Sequence, residues 1–147
     1  MTDKYKVLVL CTGNSARSQM AEAIINARRG DTWAAVSAGT QPAARVNPFA
    51  LRALDEIGIH TEGSTPKSIN TFIGQAFDLA ITVCDDAAEN CPIWPGQGKR
   101  IHVGFPDPAK VEGDDATKLA AFREVRDDIT RRILETLDEF EAALQPK

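Results

Sequence analysis

Cys11 and Arg17 bracket the stretch of the chain best equipped for chemistry, Cys11-Thr12-Gly13-Asn14-Ser15-Ala16-Arg17-Ser18. A thiol, a run of small and turn-forming residues, and a guanidinium have the make-up of an oxyanion cradle. The thiolate is the nucleophile, backbone N–H groups of the loop donate to the anion, and Arg17 offers a planar fork that matches two of its oxygens. Upstream, Val7-Leu8-Val9-Leu10 reads as a buried strand that delivers Cys11 to the carboxyl edge of a sheet. Downstream, a helical pattern begins, and its positive end points at the same spot. A tetrahedral oxyanion fits there. Spacing alone is weak evidence. The order strand, loop, helix is what argues against a buried, inert Cys11 beside a surface Arg17.

Displacement at a tetrahedral centre also needs a proton for the departing oxygen, and Asp107, held between Pro106 and Pro108, is the carboxylic acid available. By its spacing alone it reads better as an ordinary turn aspartate. The chain has three cysteines, an odd number that makes no simple set of structural disulfides. Cys84 closes an apolar strand and Cys91 rides on a polar loop; whether the two ever meet is open at this level. His60 and His102 have no thiol or carboxylate at metal-ligand spacing, so no metal site is expected and both histidines read as structural. Trp94 reads as a loop anchor.

The elements that must position these residues alternate. Lys6 to Leu10 is the first strand. Ser15 is a candidate N-cap for a helix with Met20, Ile24 and Ala27 on its apolar side, closed by Arg28, Arg29 and Gly30. Trp33 to Gly39 is a second strand. Asn47-Pro48 opens a second helix, with Leu51, Leu54 and Ile57 as its stripe before Gly58. A short helix is expected between Ser68 and Gln75, a third strand over Asp78 to Cys84, an irregular acidic loop over 85–98, and a fourth strand over Lys99 to Phe105. A long helix from about Ala116 to Leu144 carries Leu119, Phe122, Val125, Ile129, Ile133, Leu137, Phe140 and Leu144 on one face. The expected architecture is α/β: a four-stranded parallel sheet with helices on both faces and right-handed crossovers, in one domain spanning residues 1–147. Cys11, Cys84 and Asp107 then share the carboxyl edge.

With 147 residues, 43% of them hydrophobic, the chain can bury a real core. A net charge of −4 argues against nucleic acid or an anionic membrane as partner. No apolar run spans a bilayer and no signal-peptide core follows the first residues, which reads as a cytoplasmic protein.

Cys11 to Ser18 followed by Gln19-Met20-Ala21-Glu22, together with Asp107-Pro108 before the last helix, resembles the low-molecular-weight tyrosine phosphatase superfamily over nearly the whole chain. Within it, Cys84 to Cys91 followed by Pro92-Ile93, and Ser37-Ala38-Gly39, resemble the thioredoxin-coupled arsenate reductases. Where a phosphatase of this fold carries tyrosines after the Asp-Pro, this chain has Ala109-Lys110, which removes an aromatic wall.

The resemblance implies that arsenate, with phosphate or sulfate as mimics, is bound by Thr12, Gly13, Asn14, Ser15, Ala16, Arg17 and Ser18. Cys11 attacks arsenic, Asp107 protonates the departing oxygen, and Cys84 and then Cys91 complete a disulfide relay reset by thioredoxin. It further implies a monomer with no tightly bound cofactor. Some relatives hold a potassium ion behind the loop with residues matching Asn14, Glu22 and Ser37 plus an aspartate. Here Lys67 takes the aspartate's place, and its ammonium is expected to replace the ion and pair with Glu22. A low-molecular-weight phosphatase, or a non-catalytic, redox-responsive oxyanion-binding module, are the alternatives.

Overall fold

The computed structural model describes residues 4–61, 63–85 and 93–144. Four strands, β1 (Tyr5–Cys11), β2 (Trp33–Gly39), β3 (Leu79–Thr82) and β4 (Lys99–His102), form a parallel sheet in the order β2-β1-β3-β4. They alternate with α1 (Arg17–Arg28) and α2 (Pro48–Asp55) and are followed by α3 (Asp115–Leu144). Two 3-10 helices, Ile69–Phe72 and Pro108–Lys110, complete the described elements.

β1 is an unbroken apolar run because both its faces are covered. Val7, Val9 and Cys11 point into the larger core, shared with α1, α2 and α3. Leu8 and Leu10 point the other way, onto Ala38, Phe72, Phe77, Ala80 and Trp94. The three α-helices thus pack on one face, and the 3-10 helix Ile69–Phe72 lies on the other. Leu10 is wholly buried, and truncating it to alanine would cost about 2–5 kcal/mol. Trp94, 1% exposed, anchors its segment, packing edge-on against Phe77 and donating from Nε1 to the Gln97 carbonyl at 3.1 Å.

The register sets the functional edge. Cys11 lies opposite Gly39 at the end of the β1–β2 ladder. On the other side Leu10 pairs with Thr82, and the Val83 N–H donates to the Leu10 carbonyl at 2.9 Å, so Cys84 follows immediately beyond the β1–β3 ladder.

Several elements differ in detail from the sequence pattern. α1 starts at Arg17 with Ala16 at the N-cap and no side-chain cap, so Ser15 does not serve that role. An uncapped start leaves first-turn N–H groups for a ligand. α2 opens as expected, Asn47 accepting from the Phe49 N–H at 2.9 Å with Pro48 behind it. Its buried residues, however, are Ala50, Ala53 and Leu54, while Leu51 is 38% exposed. The helix rests on α1 and α3 through these two alanines and Leu54. The 68–75 region supplies one 3-10 helix, and β3 and β4 end at Thr82 and His102, short of Cys84 and Phe105. Leu144 is exposed, and α3 instead buries Arg126, whose Nη1 donates to the Ala53 carbonyl at 2.8 Å. Burial of that guanidinium is tolerable because it is hydrogen-bonded. No described helix is long and apolar enough to cross a membrane.

Candidate active site

The loop after β1 is shaped by where its carbonyls go. Those of Thr12, Gly13 and Ser15 accept hydrogen bonds from the N–H groups of Gln41 (2.9 Å), Ala43 (2.9 Å) and Asn47 (2.8 Å), all in the wall that follows β2. A trans peptide puts its N–H opposite its carbonyl, and no described peptide is cis. The N–H groups of Gly13, Asn14 and Ala16 therefore turn inward. That of Asn14 donates to Cys11 Sγ at 3.2 Å. Asn14 has φ 51°, a left-handed conformation that asparagine accepts more readily than most residues. Gly39 is equally constrained, since a Cβ there would lie 2.3 Å from the Thr12 carbonyl oxygen.

Behind the loop, Asn14 is a hub. Its Nδ2 donates to Ser18 Oγ at 2.7 Å and Ser37 Oγ at 2.9 Å, and its Oδ1 accepts from the Lys67 N–H at 2.8 Å and from Gln19 Nε2 at 3.0 Å. Gln19 also reaches the Thr65 carbonyl. Ser18 Oγ lies 2.9 Å from Cys11 Sγ, so Ser18, wholly buried, touches the thiol and not the open cleft. Ser37 donates to Glu22 Oε1 at 2.8 Å, and the Lys67 ammonium stands 3.5 Å from the same oxygen and 3.2 Å from the Thr65 carbonyl. Asn14, Glu22, Ser37 and Lys67 are thus gathered in one cluster behind the thiol.

The opposite wall holds Arg17 and Asp107. Arg17, 4% exposed, donates from Nη1 to the Phe105 carbonyl at 3.1 Å, while Nη2 stands 3.7 Å from Asp107 Oδ2. Asp107 N-caps the 3-10 helix Pro108–Lys110, its Oδ1 accepting from the Ala109 N–H at 3.0 Å, which fixes the carboxylate at the mouth. Cys11, Thr12, Gly13, Asn14, Ser15, Ala16, Arg17 and Asp107 line one cleft of about 380 Å³. Thr40, Gln41 and Lys110 line it as well, and sequence reasoning missed all three as site residues. Only Lys110 carried a signal, its place three residues after Asp107.

Arg132 was also missed. It lies on α3 with its guanidinium 4.7 Å from the Phe105 ring centroid and its Nη1 3.0 Å from the Gly104 carbonyl. Cys11 is a buried free thiol, and Cys84, also buried, is held in a disulfide. Cys91 lies outside the described residues, as do residues 86–92 of the acidic loop. Among the described residues no group of three or more His, Cys, Asp or Glu side chains could hold a metal ion.

This arrangement can polarise and attack a tetrahedral oxyanion: a nucleophile with two hydrogen-bonding neighbours, inward N–H groups, one buried cation and one carboxyl at the mouth. The family model for low molecular weight phosphotyrosine protein phosphatases matches residues 6–146. An arsenate reductase of Halalkalibacterium halodurans is 47% identical over 131 residues, covering 89% of this chain and 94% of that protein. Among solved structures, an arsenate reductase in the phosphate binding state superposes with a TM-score of 0.74 at 29% identity, covering 92% of this chain and 98% of its own. A thioredoxin-dependent arsenate reductase of Corynebacterium glutamicum gives 0.72 at 25% identity, covering 97% of this chain and 64% of its own.

Proposed function

Since this chain belongs to the low molecular weight phosphotyrosine protein phosphatase family, we propose that it turns the family's cradle to reduction, converting arsenate to arsenite with thioredoxin as electron donor. The observation that carries this reading is the placement of a second buried cysteine, Cys84, immediately beyond the ladder that ends beside Cys11. Ester hydrolysis has no use for that thiol.

In the proposed reaction the Cys11 thiolate attacks As(V), an arsenic–oxygen bond breaks, and Asp107 gives the departing oxygen its proton, leaving a Cys11 arseno-adduct and water. The Cys84 thiolate then attacks Cys11 sulfur. The sulfur–arsenic bond breaks, its electron pair stays on arsenic, and arsenite leaves as As(III). The Cys11–Cys84 disulfide that remains holds the oxidising equivalents. Cys91 attacks Cys84 and frees the Cys11 thiolate; a thioredoxin dithiol then reduces Cys84–Cys91 by two electrons.

The cluster behind the loop belongs to the same reading. The Lys67 ammonium, between Glu22 and the Thr65 carbonyl, supplies from within the chain the positive charge that a potassium ion would bring. The protein then needs no monovalent cation at that place. The test is direct: arsenite is quantified after incubation with arsenate, thioredoxin, thioredoxin reductase and NADPH. Stoichiometric arsenite and NADP⁺ are expected; inorganic phosphate release from esters with no arsenite formed would favour the phosphatase.

A further inference from the structure

We infer that Lys110 makes this cleft select a free tetrahedral oxyanion over an ester, by holding the one oxygen that faces the mouth. The inference deepens the reading of the site as an arsenate reductase and rests on it.

Three oxygens of a tetrahedral anion in the cradle face the loop N–H groups and Arg17. The fourth faces outward, toward Asp107. In a free oxyanion that atom is a hydroxyl or a charged oxygen; in an ester it carries a carbon group. Lys110 is on this outward side. It ends the 3-10 helix that Asp107 caps, its own N–H lies 3.2 Å from the Asp107 carbonyl, and it lines the same cleft. The short turn therefore carries Lys110 and Asp107 as one unit.

The charge balance calls for such a group. A dianion meets one buried cation, Arg17, and that guanidinium already donates to the Phe105 carbonyl and faces Asp107 at 3.7 Å. Lys110, by contrast, has no carboxylate partner among the described residues. The side chains beside it at the mouth, Thr40 and Gln41, are polar, and among the described residues no aromatic side chain lines the cleft. An ester's organic group finds no apolar surface there, whereas an outward hydroxyl or oxide finds an ammonium.

The test compares wild type with Lys110→Met, Lys110→Glu and Lys110→Arg in three measurements: calorimetric binding of inorganic phosphate, arsenate kinetics, and para-nitrophenyl phosphate hydrolysis. Lys110→Met is expected to raise the phosphate Kd and the arsenate KM about 3- to 10-fold, with kcat changing less, and Lys110→Glu further. Lys110→Arg should restore both. The loss for the two oxyanions should exceed that for the ester at least threefold. Unchanged oxyanion affinity in Lys110→Met, or an equal loss for oxyanions and ester, would overturn the inference. Phosphate binding is read without arsenate turnover, so a wild type that binds phosphate and forms no arsenite would sink the reductase reading and leave the role of Lys110 still measurable.

Discussion

The Arg17 guanidinium is held at 3.1 Å by the carbonyl of Phe105, 88 residues further along the chain. The same Phe105 lies under Arg132, which also takes the Gly104 carbonyl at 3.0 Å and is steadied by Asp128 at 3.5 Å. α3 therefore reaches Arg17 through two backbone carbonyls, two and three residues before Asp107. Arg132→Met should lower kcat about tenfold while leaving the helix content intact, because misplacing an aligned guanidinium and acid is costly to rate. Arg132→Lys should recover part of the loss. Steady-state kinetics with circular dichroism checks this; an unchanged kcat would remove Arg132 from the account.

Asn14 combines a left-handed backbone with hydrogen bonds to Ser18, Ser37, Gln19 and the Lys67 backbone. Asn14→Ala strands several buried partners and adds backbone strain, and should destabilise by about 2–4 kcal/mol in urea unfolding. A loss below about 0.5 kcal/mol would mean that the hub relaxes around the gap.

Lys67 beside Glu22 leads to an expectation about salt. Turnover should be the same in potassium chloride and sodium chloride at equal concentration. A strong rise with potassium but not with sodium would show that an ion, and not the ammonium, fills that place.

The α2–α3 contact gives a pH dependence. Hydrogen bonds from Arg123, and then from Arg126, hold the Glu56 carboxyl down at about 2 against its ordinary 4.5. A carboxyl lowered by folding contributes stability that is full above the ordinary value and is lost as pH falls from there through about 2. The melting temperature of Glu56→Gln should therefore lie below that of wild type at neutral pH, with the gap closing near pH 2. A gap that persists unchanged in acid would show that packing, not charge, holds the contact.

Much of this was legible in the residues. Val7 to Leu10 could only be a strand covered on both faces, and a strand ending in Cys11 before a Gly-Asn turn had to put the thiol on the sheet edge. What escaped came from tertiary context. Ser15 looked like a cap, yet its carbonyl is taken by Asn47 and the helix start is left uncapped. Leu51 fits a helical stripe, but so short a helix packs by Leu54 and two alanines, Ala50 and Ala53. Arg132 reads as a solvated charge on an amphipathic helix until Gly104 and Phe105, just after β4, are seen beneath it. Thr40 and Gln41 carry no pattern at all; they line the cleft because the segment after β2 must bind the loop's carbonyls.

The relay itself is tested most directly by thioredoxin-coupled NADPH oxidation with arsenate, comparing wild type with Cys84→Ser and Cys91→Ser. Sustained turnover is expected in the wild type alone. Cys84→Ser should form no arsenite, and Cys91→Ser should release about one equivalent per enzyme and then stall as a Cys11–Cys84 disulfide. Turnover of both variants at the wild-type rate would contradict the relay.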